Sequence, residues 1–214
     1  MTFGPIIVNE RSVAFYTAFF SDKTGAGILL ADVTSLKITL FDKRSYPNGP
    51  TQTSESINSR YEQDVKNANN GTYASASGSI TGASSASPIV ATATAHGRVN
   101  GEFVHVKAVQ GNDGANNDPM KSDHQWPISV VDANSFRLLG SRFTGAYTAA
   151  TGTWTHSKFE WAMQPADNQI VNTGLSVGAF EEHVAIIEGV ATGGVTLYHP
   201  VTILVRNMGV AVPF

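Results

Sequence analysis

NNGTYASASGSITGASSASPIVATATAHG, residues 69–97, decides how the rest of the chain divides. Between Gly71 and Gly97 it has no charged side chain, and small residues dominate until Ile89 and Val90. Its second half carries a strand pattern, with Ile89, Ala91, Ala93 and Ala95 alternating onto one side. HGRVNG follows as a turn around Gly97 and Asn100-Gly101, and EFVHVKAV alternates again from Phe103. WPISVVDANSFRLLG then gives two short strands about the turn Asp132–Asn134. Residues 78–152 therefore read as a compact run of short strands forming a small inserted β-domain, barrel-like in size. On this reading the Ser/Ala/Gly-rich run is the inbound linker and Gly145–Gly152 the return path.

Removing that middle joins NNGTYAS to TGTWTHSKFEW as one hairpin, with Thr72-Tyr73 running toward Phe159-Trp161. The outer pieces need each other, because two strands alone are only marginally stable. Residues 1–77 and 153–214 are thus expected to form one discontinuous β-sandwich domain. In RSVAFYTAFFSD, period two places Val13, Phe15, Thr17 and Phe19 on one face. SLKITLFDK alternates Leu36, Ile38 and Leu40 with Lys37 and Thr39. A hairpin is expected from His183 to Val190, through Thr192–Gly194, and back to Val205, with Pro200 marking an edge or a bulge. Helix signals are few: one short turn over Tyr61–Asn67, and another in QPADNQIVN with Pro165 at its first position. The class is all-β.

The bulk composition narrows the function. Only 14% of the residues are charged, so Ser, Thr, Asn, Gly and Ala must cover much of the surface. The net charge of −3 offers no basic field, so no nucleic acid is expected as a partner. Cysteine is absent, which excludes disulfides and thiol chemistry. The opening MTFGPIIVNERSVAF lacks a basic region followed by a long apolar run, so no signal peptide is expected. No stretch reaches ~18 apolar residues, and no membrane partner is expected.

One part of the sequence has a recognisable relative. The pattern runs from Pro88 to Gly97, through Asn100–Val104 (NGEFV) and Phe136–Leu138 (FRL), to Gly145–Tyr147 (GAY). It resembles a small β-module found across structural proteins of tailed bacteriophages. That module is similar to the first catalytic-cysteine half-domain of ubiquitin-activating enzymes. This copy departs from it in a longer polar loop, QGNDGANNDPMKSDHQ, between Val109 and Trp126. YEQDVKNANNGT, MQPADNQIV and EEHVAIIEGV with TILVRN resemble immunoglobulin-like β-sandwich domains of phage tail, baseplate and neck proteins. The resemblance implies a non-enzymatic virion component, assembled in the host cytoplasm from copies of itself and other virion proteins, without cofactor. Capsid decoration and recognition of a host surface glycan are the alternatives within the binding class.

Several patterns point to chemistry or contact. GLSVG, Gly174–Gly178, fits a nucleophile elbow around Ser176, with Glu188 and His199 later in a triad-like order. That elbow needs a strand before the serine and a helix after it, and no βα alternation is present to supply them. Asp113, Asp118 and Asp123 are weak candidates for a Ca²⁺ site; their spacing is not that of an EF-hand. None of the six histidines has the HxxxH spacing of a helical zinc site, and His96 is expected to bond backbone in its turn. Trp126, Trp154, Trp161, Tyr147 and Tyr198 either stack on a sugar or fill cores and interfaces. Val201, Ile203 and Val205 of the last strand, with Val212 and Phe214 of the apolar tail MGVAVPF, are the interface candidates.

Overall fold

A computed structural model describes residues 5–22, 24–117 and 125–209. Asp118, Asp123, Val212 and Phe214 lie outside the described residues. The fold is all-β: the described helical elements are three-residue 3-10 turns, and none is long and apolar enough to cross a membrane. The strands are β1 (Ile6–Asn9), β2 (Ala14–Ala18), β3 (Val33–Asp42), β4 (Gln63–Asp64), β5 (Gly71–Ser79), β6 (Gly82–Ala83), β7 (Val90–Thr92), β8 (Phe103–Lys107), β9 (Trp126–Asp132), β10 (Ser135–Leu138), β11 (Thr153–Met163), β12 (Phe180–Ala191) and β13 (Val195–Arg206).

The chain forms two compact units. One takes Phe19–Asp32 and Ala74–Lys158. The other takes the N-terminal strands up to Ala18, then Val33–Tyr73, then the chain from Phe159 on. Phe19–Asp32, which the sequence reading places in the outer domain, thus belongs to the unit built around residues 78–152.

In that first unit, strands β8, β9, β10, β7 and β6 follow one another in the sheet, and Thr153–Thr155 of β11 pairs with β8. β5 in turn pairs with β11, and the Ile80 amide donates to the Gly152 carbonyl at 3.0 Å. Because β6 follows β5 after two residues, the two ends of this strand series meet in consecutive chain. One core fills it: Ile80, Ile89, Ala91, Val104, Val106, Ile128, Phe136, Leu138 and Trp154 are all nearly inaccessible. Phe136 meets Trp154 edge-on at 6.1 Å and His96 edge-on at 5.1 Å.

The Ser/Ala/Gly run is therefore not a linker. Ala74–Ser79 continues a nine-residue strand, and Gly82-Ala83 pairs with β7. Its small residues answer close approach: a Cβ at Gly78 would sit 2.8 Å from Trp154 Nε1. Ala95 departs from the strand pattern too, since it is exposed with φ 51° just past the end of β7. The return path is equally tight, because a Cβ at Gly145 would stand 2.5 Å from the Gly111 carbonyl oxygen.

In the second unit, one sheet has five strands in the order β1-β13-β12-β3-β4. The other is built on Phe159–Met163 of β11, which pairs with β2 on one side and is met on the other by the Ala162 amide bond to the Asn70 carbonyl, 2.9 Å. The sheets face each other: Tyr16 of β2 lies 5.8 Å from the His199 ring of β13. Leu36, Ile38 and Leu40 are fully buried, as their alternation requires, beside Ile187, Phe159, Trp161 and Met163. β12 and β13 form the expected hairpin in unbroken register, with Ile186 opposite Pro200. No bulge occurs at Pro200; among the described residues β1 pairs with β13 at Ile203–Arg206 and not at the proline. The bulge lies instead between Val190 and Ala191, against β3.

The structure settles which face of β2 turns inward, and it overturns both helix expectations. β2 buries Tyr16 and Ala18 and leaves Val13 and Phe15 exposed, a choice that alternation leaves open because it fixes the two sets but not which one turns inward. Tyr61–Asn67 is not helical, since β4 falls within it and Arg60 packs inward to an ion pair. At Pro165 the chain makes a turn and no helix, with Asp167 donating its amide to the Gln164 carbonyl at 2.9 Å.

Candidate interaction surface

Inward polar groups first fix the loops around the second unit. Asp167, fully buried, accepts from Arg60 Nε at 2.8 Å and from the other guanidinium arm at 3.1 Å. It also accepts from Asn58 Nδ2 at 2.7 Å and from the Gln164 amide at 2.8 Å. The guanidinium carbon lies 5.8 Å from the Trp161 ring centroid. Every oxygen lone pair that matters is engaged, the condition under which a buried ion pair is tolerated. A second clamp joins Glu181 to His183 Nε2 at 2.6 Å and to the amides of Val171 and Asn172 at 2.9 and 2.7 Å. Burial pushes the Glu181 carboxyl up, but these donors outweigh it and leave it below the ordinary carboxylate value.

The clamp holds the loop that carries GLSVG. Ser176 is exposed in a turn closed by the Ala179 amide on its carbonyl at 3.0 Å. Neither a strand before it nor a helix after it is present, so the elbow geometry is missing. The neighbouring Leu175 carbonyl is held by Asn207 Nδ2 at 2.7 Å. His199 lies back along the same strand by eight residues, roughly 26 Å at the usual extended rise. Glu188 and His199 are thus not gathered around Ser176.

The other candidates resolve along structural lines. Asp113 is exposed in a 3-10 turn, and among the described residues no group of three His, Cys, Asp or Glu could hold a metal ion. The loop's asparagines bond backbone instead: Asn116 exchanges two bonds with Val109, both 2.8 Å, and fully buried Asn112 donates to Ser84 O at 3.0 Å. His96 bonds backbone on both nitrogens, to Asp132 O and from the Arg98 amide, each at 2.9 Å. Trp154 and Trp161 are core, Trp126 donates to the Ala115 carbonyl, and the Tyr147 hydroxyl lies 2.8 Å from Ile80 O. Of the five aromatics only Tyr198, 61% exposed, faces outward.

Val201, Ile203 and Val205 point into the core and are buried, so they are not contact side chains. Period two puts their neighbours on the surface. Across the outer face of the five-stranded sheet, register aligns Ile7, Leu204 and Glu182; then Thr202, Val184 and Phe41; then Pro200, Ile186 and Thr39; then Tyr198, Glu188 and Lys37. The chain beyond β3 covers part of this face, with Gly49 against the Phe41 ring and the Glu62 amide bonded to Thr39 Oγ1. On β12 and β13 the outward Val184, Ile186, Thr202 and Leu204 are half-buried, while Tyr198 and, at the margin of the sheet, Ile7 at 65% are exposed. On the other sheet, Phe15 of β2, the terminal strand of its order, is 64% exposed, and Val13 just before the strand 57%. Monomers seldom leave such apolar sheet surface uncovered. Ile7 is not among the sequence candidates, and the sequence groups Phe15 with Val13 without giving the direction of their face; the signal for both is an apolar residue alternating with one that the core claims.

No protein-family model matches the chain, and no curated protein matches it.

Proposed function

We propose that this protein is a non-enzymatic structural component of a tailed-bacteriophage virion, in the tail, baseplate or neck, working in several copies through protein–protein contacts. The observation that carries the reading is the set of exposed apolar side chains along the sheet margins: Ile7 of β1, Tyr198 of β13, Phe15 of β2 and Val13 just before it. Such surface is a liability for a free monomer and an asset for a subunit. A charged fraction of 14% gives little electrostatic protection against association. The sequence pattern from Pro88 to Tyr147, which resembles a phage structural module, supplies the virion context. The immunoglobulin-like character of the second unit is part of the same proposal. Quantitative mass spectrometry of purified particles tests it: the protein is expected at several copies per particle. Its absence from particles, with the free protein abundant in the lysate, would refute the proposal.

A further inference from the structure

Among the described residues β2 is the terminal strand of its sheet, and the backbone shows which of its groups point outward. Ala162 of β11 sends its amide to Asn70 O, away from β2. Ala162 pairs with Phe15, so Phe15 and Thr17 do not bond β11; Ala14, Tyr16 and Ala18 do, opposite Met163, Trp161 and Phe159. The amides and carbonyls of Phe15 and Thr17 therefore point away from β11, to the outer edge of β2, where no described strand pairs with them. From Val13 to Ala18 that edge has no charge, no proline and no bulge. The edges of the facing five-stranded sheet differ: β13 carries Pro200 beyond its described pairing with β1, and β4 is two residues long beside Glu62 and Lys66. Edges that must stay single are blunted in those ways.

From this we infer that β2 is a self-pairing edge, and that its occupant is β2 of a second copy in antiparallel register centred on Tyr16. The inference deepens the multi-copy reading above by naming the surface and the partner. The strand AFYTA is symmetric about its middle in the property that matters. Centred on Tyr16, Phe15 falls opposite Thr17 of the second copy, and Thr17 opposite its Phe15. Both belong to the set with outward amides and carbonyls, so each pair exchanges two hydrogen bonds, four in all across the two-fold axis. A register shifted by one residue would set inward-bonded groups opposite outward ones and make none. On the exposed face each Phe15 side chain lies beside a threonine and diagonal to the other Phe15, within aromatic reach. No like charges meet anywhere along the pair. The contact is isologous, so the residue set serves both copies.

The test is sedimentation equilibrium of the full chain over a concentration series, beside Phe15→Lys and Phe15→Leu. Phe15→Lys weakens self-association by roughly tenfold or more, while Phe15→Leu preserves it. Register is read independently by cysteine pairing, because the chain has no cysteine of its own. A mixture of Phe15→Cys and Thr17→Cys proteins oxidises to the mixed dimer faster than either protein alone. If Phe15→Lys fails to fold by circular dichroism, this pairing decides. Self-association that Phe15→Lys leaves intact, with no preference for the mixed dimer, overturns the edge and leaves the multi-copy reading standing. A wild-type chain that is monomeric throughout and forms no mixed dimer overturns the edge as well; the particle measurement then decides the wider reading by itself.

Discussion

Replacing Asp167 by alanine should be among the most damaging single changes in the second unit. Four donors converge on its carboxylate between 2.7 and 3.1 Å, and the Arg60 side chain behind it is only 5% exposed. Alanine leaves that guanidinium charged in a dry setting, facing Trp161, with bonds remaining only to Gln63 and the Asn69 carbonyl. Breaking one side of a buried pair costs about 3–5 kcal/mol. For a chain of this size each kcal/mol lowers the melting temperature by about 2–4 °C, so a drop of roughly 6–20 °C is expected. Differential scanning calorimetry on wild type, Asp167→Ala and the double variant Asp167→Leu/Arg60→Met measures it. The double variant should recover most of the loss, because an apolar pair of similar volume removes the stranded charge. If Asp167→Ala costs less than about 1 kcal/mol, the ion pair is not the clamp described above.

Further outcomes follow from the same geometry. Gly78→Ala should destabilise the first unit by about 1–3 kcal/mol in thermal melts, since its methyl group would press on the rigid Trp154 indole. Acid should weaken that unit through His156, whose imidazole is fully buried, with Nδ1 2.8 Å from Phe103 O and Nε2 3.6 Å from Glu102. Burial holds it below the ordinary imidazole value, against the pull of the Phe103 carbonyl and Glu102 and with the help of Arg98 and Lys158. The unfolded chain then takes up its proton first, so stability falls as pH drops below about 6.5 and levels off once the folded imidazole titrates. His156→Gln should flatten that slope; His199, also lowered by burial, leaves a residual slope of the same sign in the other unit. A fluorophosphonate probe should not label the protein, and Ser176→Ala should behave as wild type; labelling abolished by that substitution would revive the elbow.

Much of this fold is legible in the sequence, and its failures share a cause. Period two located β3 and the β12–β13 hairpin because Leu36, Ile38, Leu40, Ile187 and Leu197 have no competing face. The inward face of β2 is not legible because Val13 and Phe15 are as apolar as Tyr16 and Ala18, so alternation gives two sets of equal claim on the core. The Ser/Ala/Gly run looked like a linker because composition does not report that Trp154 sits against Gly78. Val201, Ile203 and Val205 stand out in the sequence as the apolar set of the last strand, but nothing local tells that this set turns inward and not toward a neighbour. The Arg60–Asp167 pair spans 107 positions in sequence, and nothing local announces it.

A cryo-EM map of the intact particle tests the central claim most directly. The account predicts several symmetry-related copies of this chain in the tail, baseplate or neck, with the β12–β13 face or the β2 edge covered by a neighbouring subunit. A particle complete without this chain would contradict it, as would copies in which both surfaces remain open to solvent.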